Sequence, residues 1–286
     1  MKKLLAIVLT CLLMVTMLAA CGNSETPSTT AAPAETQTGS AETTAAQAEA
    51  AAPTFTTVAP GKLVMSTNAS FPPYEMVAAD GSLEGIDIDV AAAIAEKLGL
   101  ELQIDNMGFD ACILAVQQGK SDICMAGLTI TPERSAVMDF TDTYANGVQV
   151  VIVAANSDIA TLDDLANDKM IGTQMGTTGY IYCSDTVENG GYGEDHVVPY
   201  DDGAAAIQAL LKGQIDAVVI DNMPAQEYVA ANPGLKILDM EYANEDYAIG
   251  VAKGNTALLD AVNAALNELI ADGTVQSIVD KYISAN

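Results

Sequence analysis

Basic residues are scarce in this chain: Lys and Arg together number 11 against 38 Asp and Glu, for a formal charge of −27. Setting aside residues 1–20 takes away two lysines and no acid, which moves the charge to −29. A phosphate backbone rewards clustered Lys and Arg, so nucleic acid is excluded as a partner, and so is electrostatic adhesion to anionic lipid. Histidine occurs once, at His196, beside the polar stretch Gly190-Gly191-Tyr192-Gly193-Glu194-Asp195. That stretch reads as a loop, and a lone loop histidine is ordinarily solvated rather than catalytic. There is no GxSxG, HExxH, P-loop or GxGxxG pattern. Hydrolase, metalloprotease, NTPase and dinucleotide readings therefore lack their machinery, and neither a metal nor a cofactor is expected. The paired acids Asp163-Asp164 and Asp201-Asp202 fall at expected helix starts, where they favour the helix dipole. Metal-type cysteine spacing is also missing: Cys112, Cys124 and Cys183 stand apart, with no CxxC. They form no disulfide framework and are expected as buried small hydrophobes, although one bridge stays open.

What is present begins with an export signal. Lys2 and Lys3 precede an apolar run from Leu4 to Leu18, and Leu18-Ala19-Ala20-Cys21 reads as a processing site. This end resembles the lipobox of bacterial lipoproteins, which implies that Cys21 becomes the first residue and carries the lipid. Residues 22–60 are dominated by Ala, Thr, Glu, Pro, Ser and Gln, with Phe55 and Val58 the only larger apolar residues. Such a composition cannot bury a core and reads as a flexible tether.

The body from Gly61 to Asn286 is long enough for two modest lobes. Lys62-Leu63-Val64-Met65 predicts a strand, Asp89 to Leu98 a helix closed by Gly99, Asp110 to Gln118 a helix closed by Gly119, and Asp122 to Ala126 a strand. Thr161 opens a helix with Asp164 in capping-box position. Met170 to Gln174 and Asp216 to Ile220 read as extended, with Ala204 to Lys212 helical between them. Two helices, Thr256 to Ala271 and Thr274 to Tyr282, close the chain with Leu258, Val262, Leu266 and Leu269 on one face. They are expected to pack back on the first lobe. The alternation gives an α/β fold. Residues 116–125 and 210–219 also share one design: helix end, glycine, two residues, aspartate, buried strand. Each marks the same corner of two similar lobes, and ligands of open α/β sheets bind outside the carboxyl ends of such strands.

Arg134 is the sole arginine and follows Leu128-Thr129-Ile130-Thr131-Pro132-Glu133. A planar guanidinium grips a carboxylate with two parallel hydrogen bonds, and Asp221, at a strand end in the other lobe, offers a carboxylate to an ammonium group. Together they match an amino-acid zwitterion, and a ligand completes both charge pairs only when the lobes close. The competing reading of Arg134 is a surface ion pair. Phe71 and Phe109, expected in connecting segments, serve either as aromatic walls of the site or as core. The turn Gly176-Thr177-Thr178-Gly179 offers N–H groups and hydroxyls to an anion, or simply caps a helix.

The ordered motifs Asn68-Ala69-Ser70-Phe71-Pro72-Pro73-Tyr74-Glu75, Gly85-Ile86-Asp87-Ile88-Asp89, Ala126 to Arg134, Asp139-Phe140-Thr141, Gly176-Thr177-Thr178 and Asp272-Gly273-Thr274 resemble the polar amino-acid-binding proteins of ABC importers, family 3 of the extracellular solute-binding proteins. The resemblance covers Gly61 to Tyr282. It implies a two-lobed periplasmic-binding-protein-like fold of type II with crossings near residues 145–149 and 244–248. The expected organisation is a signal peptide at 1–20, a lipid-anchored tether at 21–60, lobe 1 at 61–146 and 246–286, and lobe 2 at 147–245. By the resemblance, Arg134 binds the α-carboxylate with Thr129 and Thr178, and Asp221 and the Gly127 carbonyl bind the α-ammonium. Phe71 and Phe109 stack on the ligand. Asn68 stands where relatives with basic or amide ligands often carry an acid, and Gln174 and Ile220 stand where some relatives read the side chain, which together point to a polar or neutral amino acid. The implied partners are that ligand, an ABC permease and the membrane through the lipid, for a monomer on the extracellular face of the cell membrane that is not an enzyme. Two alternatives stand beside it: a dehydratase of cyclic aromatic-amino-acid precursors on the same fold, and a sensor serving a receptor.

Overall fold

A computed structural model describes residues 55–283. The export signal, Cys21 and the tether up to residue 54 lie outside the described residues. Where the expected tether ends, Phe55 packs against the core of the first lobe and the Val58 amide donates to Asp122 Oδ1 at 2.8 Å, so residues 55–60 are attached to the body. No helix among the described residues is long and apolar enough to cross a membrane.

One nine-stranded sheet runs through both lobes in the order Glu101–Asn106, Lys62–Thr67, Ile123–Cys124, Ala243–Ala252, Met138–Ala154, Ala217–Asp221, Ile171–Gln174 and Val197–Tyr200, with Leu235–Ile237 also beside Met138–Ala154. The outer strands are parallel within each lobe, Lys62–Thr67 with both neighbours and Ile171–Gln174 with both of its own. At the centre Met138–Ala154 and Ala243–Ala252 pair antiparallel, from Gln149 opposite Ala243 to Met138 opposite Ala252. These are the two crossings, and the fold is α/β and two-lobed.

Period-two burial explains how the sheet holds helices on both faces. In the second lobe Val150, Ile152, Val218 and Ile220 enter one core with Ile207 and Leu210 of the helix Gly203–Leu211. Their neighbours Val151, Val153 and Val219 enter another with Ile159, Leu165 and Cys183. The first lobe does the same: Ile123 and Met125 face Leu63, Ile94, Leu258 and Leu266, while Cys124 and Ala126 face Phe109, Cys112 and Met138. The helices Thr256–Ala271 and Thr274–Tyr282 return to the first lobe's core, through Leu258, Val262, Leu266, Leu269 and Val275.

The repeated corner has a physical cause. Asp122 Oδ2 accepts from the Val64 amide and Asp216 Oδ2 from the Met170 amide, each at 2.8 Å. In each lobe an aspartate thus ties the end of one helix and its following strand to the start of the neighbouring strand. Gly119 and Gly213 make both turns possible, at φ of +64° and +67°, which L side chains adopt at a cost.

Several local expectations need correction. Phe71 lies within the short strand Ser70–Phe71, and Phe109 is the first residue of the helix Phe109–Gln117, so neither is in a connecting segment. The first helix begins at Ile86, three residues before Asp89, and its acid Asp87 is fully buried rather than solvated at the dipole. The strand expected at 122–126 contracts to Ile123–Cys124 because the chain turns into a left-handed Gly127. His196 sits in the short 3-10 turn Glu194–His196 and is half-buried.

Candidate functional site

Arg134 reaches the cleft from a helix it does not favour electrostatically. Thr131 caps Pro132–Val137, its Oγ1 accepting from the Arg134 amide at 3.2 Å, and Pro132 occupies the first turn, where its missing N–H costs nothing. A cation so close to the positive end of a helix gains nothing from the dipole. What places the side chain is its own hydrogen bonding: Nη1 donates to Thr129 O at 2.8 Å and Nη2 to Gly176 O at 3.2 Å, on the opposite lobe. The Phe109 ring lies under the guanidinium, 5.1 Å from ring centre to Cζ. Arg134 is 6% exposed and makes no ion pair among the described residues. The surface-pair reading is thereby overturned. Burial lowers its pKa, and the acids Glu245 and Asp110 oppose that.

Asp221 ends the strand Ala217–Asp221 and is 5% exposed. Its Oδ2 accepts from Gln149 Nε2 at 2.7 Å, and the same nitrogen donates to Glu245 Oε2 at 3.2 Å. Glu245 Oε2 also accepts from Thr129 Oγ1 at 2.9 Å. A chain of hydrogen bonds thus runs from Thr129 in the first lobe, through one residue on each crossing strand, to Asp221 in the second. Among the described residues, Gln149 Oε1 and Glu245 Oε1 are buried with no hydrogen-bond partner. Burial raises the Asp221 pKa to about 7, the Tyr247 hydroxyl and Gln149 acting against the rise and Glu245 adding to it.

All ten ligand residues singled out in the sequence line one cavity between the lobes, joined by Ile220. They differ in what their polar atoms do. Asn68 and Gln174 bond to each other across the cleft, Gln174 Nε2 to Asn68 Oδ1, at 2.8 Å. The Thr177 hydroxyl serves the helix Thr178–Ser184, accepting from the Tyr180 amide and donating to Gln174 O. Phe71 packs against cores of both lobes, so its cavity-lining and core readings hold together. Phe109 does both as well. Gly127 stands at φ +53°, and a Cβ there would lie 2.7 Å from the Phe71 ring, so the chain can turn beneath that ring only at glycine.

The cavity also includes Glu75 and Gln149, which the sequence reading left without a role. Gln149 had a signal: it is the lone polar residue inside the apolar run Val148 to Val153. Glu75 lay inside a quoted motif, yet nothing in its immediate neighbours announces that it is fully buried. What the arrangement can do chemically is bind a small zwitterion. A buried guanidinium sits on one lobe and a buried carboxylate on the other, with aromatic rings lining the same cavity and protein hydrogen bonds spanning the cleft.

Comparison with known proteins points the same way. The model of the family "Bacterial extracellular solute-binding proteins, family 3" matches residues 63–285. The ABC transporter arginine-binding protein 1 of Escherichia coli is 34% identical over 234 residues, 80% of this chain and 93% of that protein. A probable histidine-binding protein of Neisseria gonorrhoeae is 31% identical, over 79% of this chain and 84% of its own length. A solved ancestral arginine-binding protein bound to glutamine superposes with a TM-score of 0.72 at 40% identity, covering 79% of this chain and 99% of the other.

Proposed function

Because the chain belongs to family 3 of the bacterial extracellular solute-binding proteins, we propose that it captures a free α-amino acid between its lobes and delivers it to an ABC permease. The observation that carries this reading is Arg134: a guanidinium buried in the cleft, without a carboxylate partner among the described residues, across from the buried carboxylate of Asp221. Leaving a charge so deeply desolvated is expensive, and a ligand carboxylate removes that expense only in the closed form. Thr129 and Thr178 assist Arg134, the Gly127 carbonyl assists Asp221, and Phe71 and Phe109 flank the ligand's carbon skeleton. Lobe 1 comprises 61–146 and 246–286, and lobe 2 comprises 147–245. Lipid attachment at Cys21 and a tether from 21 towards the body complete a monomer held at the extracellular face.

The ligand's side chain meets Asn68, Gln174 and Ile220, none of them charged, which supports a polar or neutral amino acid. Relatives named for arginine and histidine, and a structure holding glutamine, bracket that choice. A second reading, a basic ligand, is favoured by one observation: among the described residues Arg134 is the only basic one that lines the cavity, while Asp221 lines it and Glu245 lies just behind. Titration calorimetry against all twenty amino acids plus cystine and ornithine separates the two. Tight binding of neutral amino acids supports the first, preference for arginine or lysine the second. Silence across the panel, with turnover of a cyclic precursor, would replace both with a dehydratase.

A further inference from the structure

Behind Gly127 lie two acids that ligand binding as described above does not use. Glu75, on the strand Glu75–Val77, lines the cavity and is fully buried, and neither of its oxygens has a partner among the N–H and O–H donors of the described residues. Asp87, in the first turn of Ile86–Leu98, is equally buried, but both its oxygens are served. Oδ1 accepts from Tyr144 Oη at 2.6 Å, and Oδ2 from the Gly127 amide at 2.9 Å.

This asymmetry decides where the proton sits. A carboxylate that accepts two hydrogen bonds is held in its charged form. The Asp87 amide donates to Tyr74 O at 2.9 Å, which sets Asp87 beside the strand that carries Glu75. A second, fully buried carboxylate there, without donors of its own, would add a like charge at low dielectric, which buried acid pairs avoid by sharing one proton. We infer that Glu75 is a neutral carboxylic acid donating its proton to the Asp87 carboxylate, and that this pair is a positioning device that fixes Gly127, whose carbonyl is assigned to the ligand's ammonium. The second half rests on the proposed function; the first does not.

The electrostatics agree in direction. Burial pushes Glu75 well above the ordinary carboxylate range, and the charge of Asp87 and its hydrogen bond push it further. Burial also raises Asp87, to about 6, while the hydrogen bonds from Tyr144, Gly127 and Glu75 pull it back. The groups facing Glu75 from other elements are Cys124 and Asp221, and any negative charge on either holds the proton more firmly. Tyr74 and Tyr144 lie close by, and burial together with the charge of Asp87 raises both of their hydroxyls. Mechanical coupling to the site is direct. Glu75 pairs with Phe71 in the small sheet, and the Phe71 ring lies against Gly127, so Gly127 is held by Asp87 through its amide and by Phe71 through packing.

Loss of the Glu75 proton would set two charges against each other under the turn that carries Gly127. Affinity is therefore expected to fall on the alkaline side, about tenfold per pH unit beyond the pH at which Glu75 ionises. Glu75→Gln supplies an amide that can still donate to Asp87, so its affinity should fall on the alkaline side only as the ligand's own ammonium loses its proton, less steeply than that of the wild type. The test labels the glutamate side-chain carboxyls with carbon-13 and follows them by NMR in the protein without added amino acid. One carboxyl resonance should stay in the protonated position after all the other glutamates have ionised, and vanish in Glu75→Gln. If every glutamate ionises together in the ordinary carboxylate range, the neutral-acid assignment is overturned, whatever the ligand proves to be. If the protonated resonance is present but affinity tracks pH identically in the wild type and Glu75→Gln, the positioning role is overturned. Should Glu75→Gln fail to fold, the wild-type resonance, and whether affinity falls at the pH where it titrates, still decide both parts.

Discussion

Gln174 Nε2 and Asn68 Oδ1 meet across the cleft at 2.8 Å, an uncharged amide of one lobe against an uncharged amide of the other. Each is held from behind. Asn68 donates to Met107 O at 2.9 Å and accepts from Ser70 Oγ at 2.9 Å, while Gln174 donates to Asp201 O at 3.0 Å. Little side-chain freedom is then lost when the pair forms. We expect Asn68→Ala and Gln174→Ala each to weaken ligand binding by about 1 kcal/mol, roughly fivefold, and the double variant to lose less than the sum. Calorimetry on the four proteins checks this, and strictly additive losses would mean that the two amides act separately.

Arg134→Ala should remove binding of any α-amino acid, a loss on the order of 2–5 kcal/mol or more, because the ligand carboxylate would be buried unpaired. Arg134→Lys should bind weakly, since an ammonium keeps the charge but not the two-pronged geometry. Circular dichroism should show the fold intact in both. Full affinity in the alanine variant contradicts the zwitterion assignment.

Asp221 makes a prediction about pH. Its folded pKa is raised to about 7 and that of Asp87 to about 6, so the native state keeps protons that the unfolded chain has already released. That stabilisation is full below about pH 4 and is lost as pH rises through the two folded values. Melting curves without ligand should therefore show a decline between about pH 4 and 7 that Asp221→Asn makes shallower. Ligand affinity runs the other way, because an ammonium pairs with the carboxylate: it should strengthen up to about tenfold per unit as pH rises towards 7. A flat affinity profile from pH 5 to 7 would argue that Asp221 does not meet the ammonium.

The three described cysteines are fully buried and free. Burial pushes Cys183 up to about 12, and the hydrogen bond with neighbouring Cys124, together with burial, raises Cys112. A water-soluble thiol reagent at neutral pH should leave Cys112, Cys124 and Cys183 unmodified in the folded protein and reach all three in denaturant. Rapid modification of Cys112 or Cys124 under native conditions would show that the first lobe's core opens readily.

How far the sequence could be read depended on whether the deciding contact was local. Helices such as Thr256–Ala271 were legible from apolar spacing, and Thr161 with Asp164 from a capping pattern that the structure contains. That Arg134 and Asp221 would line one cavity could be anticipated because scarcity drew attention to one residue and a strand end to the other. Glu75, Gln149 and Glu245 escaped for a different reason. Their significance comes from partners 12, 72 and 116 positions away, Asp87, Asp221 and Thr129, and no periodicity encodes such a contact. The same limit misplaced the first helix. Its expected start is Asp89, whereas its first turn holds Asp87, buried against Gly127 and Tyr144.

The paired crossing strands also impose an order on synthesis. Gly147 lies opposite Glu245, so everything between them is a loop whose two ends are neighbours. Its core residues, from Val150 to Leu238, are all translated before Leu258. The core of the other half needs Leu63, near the beginning, and Leu258, Val262 and Leu266, near the end. As the chain emerges, the inserted half can complete itself while the half that surrounds it waits, its sheet built and one face only partly covered by its first helix, for the last two helices to arrive.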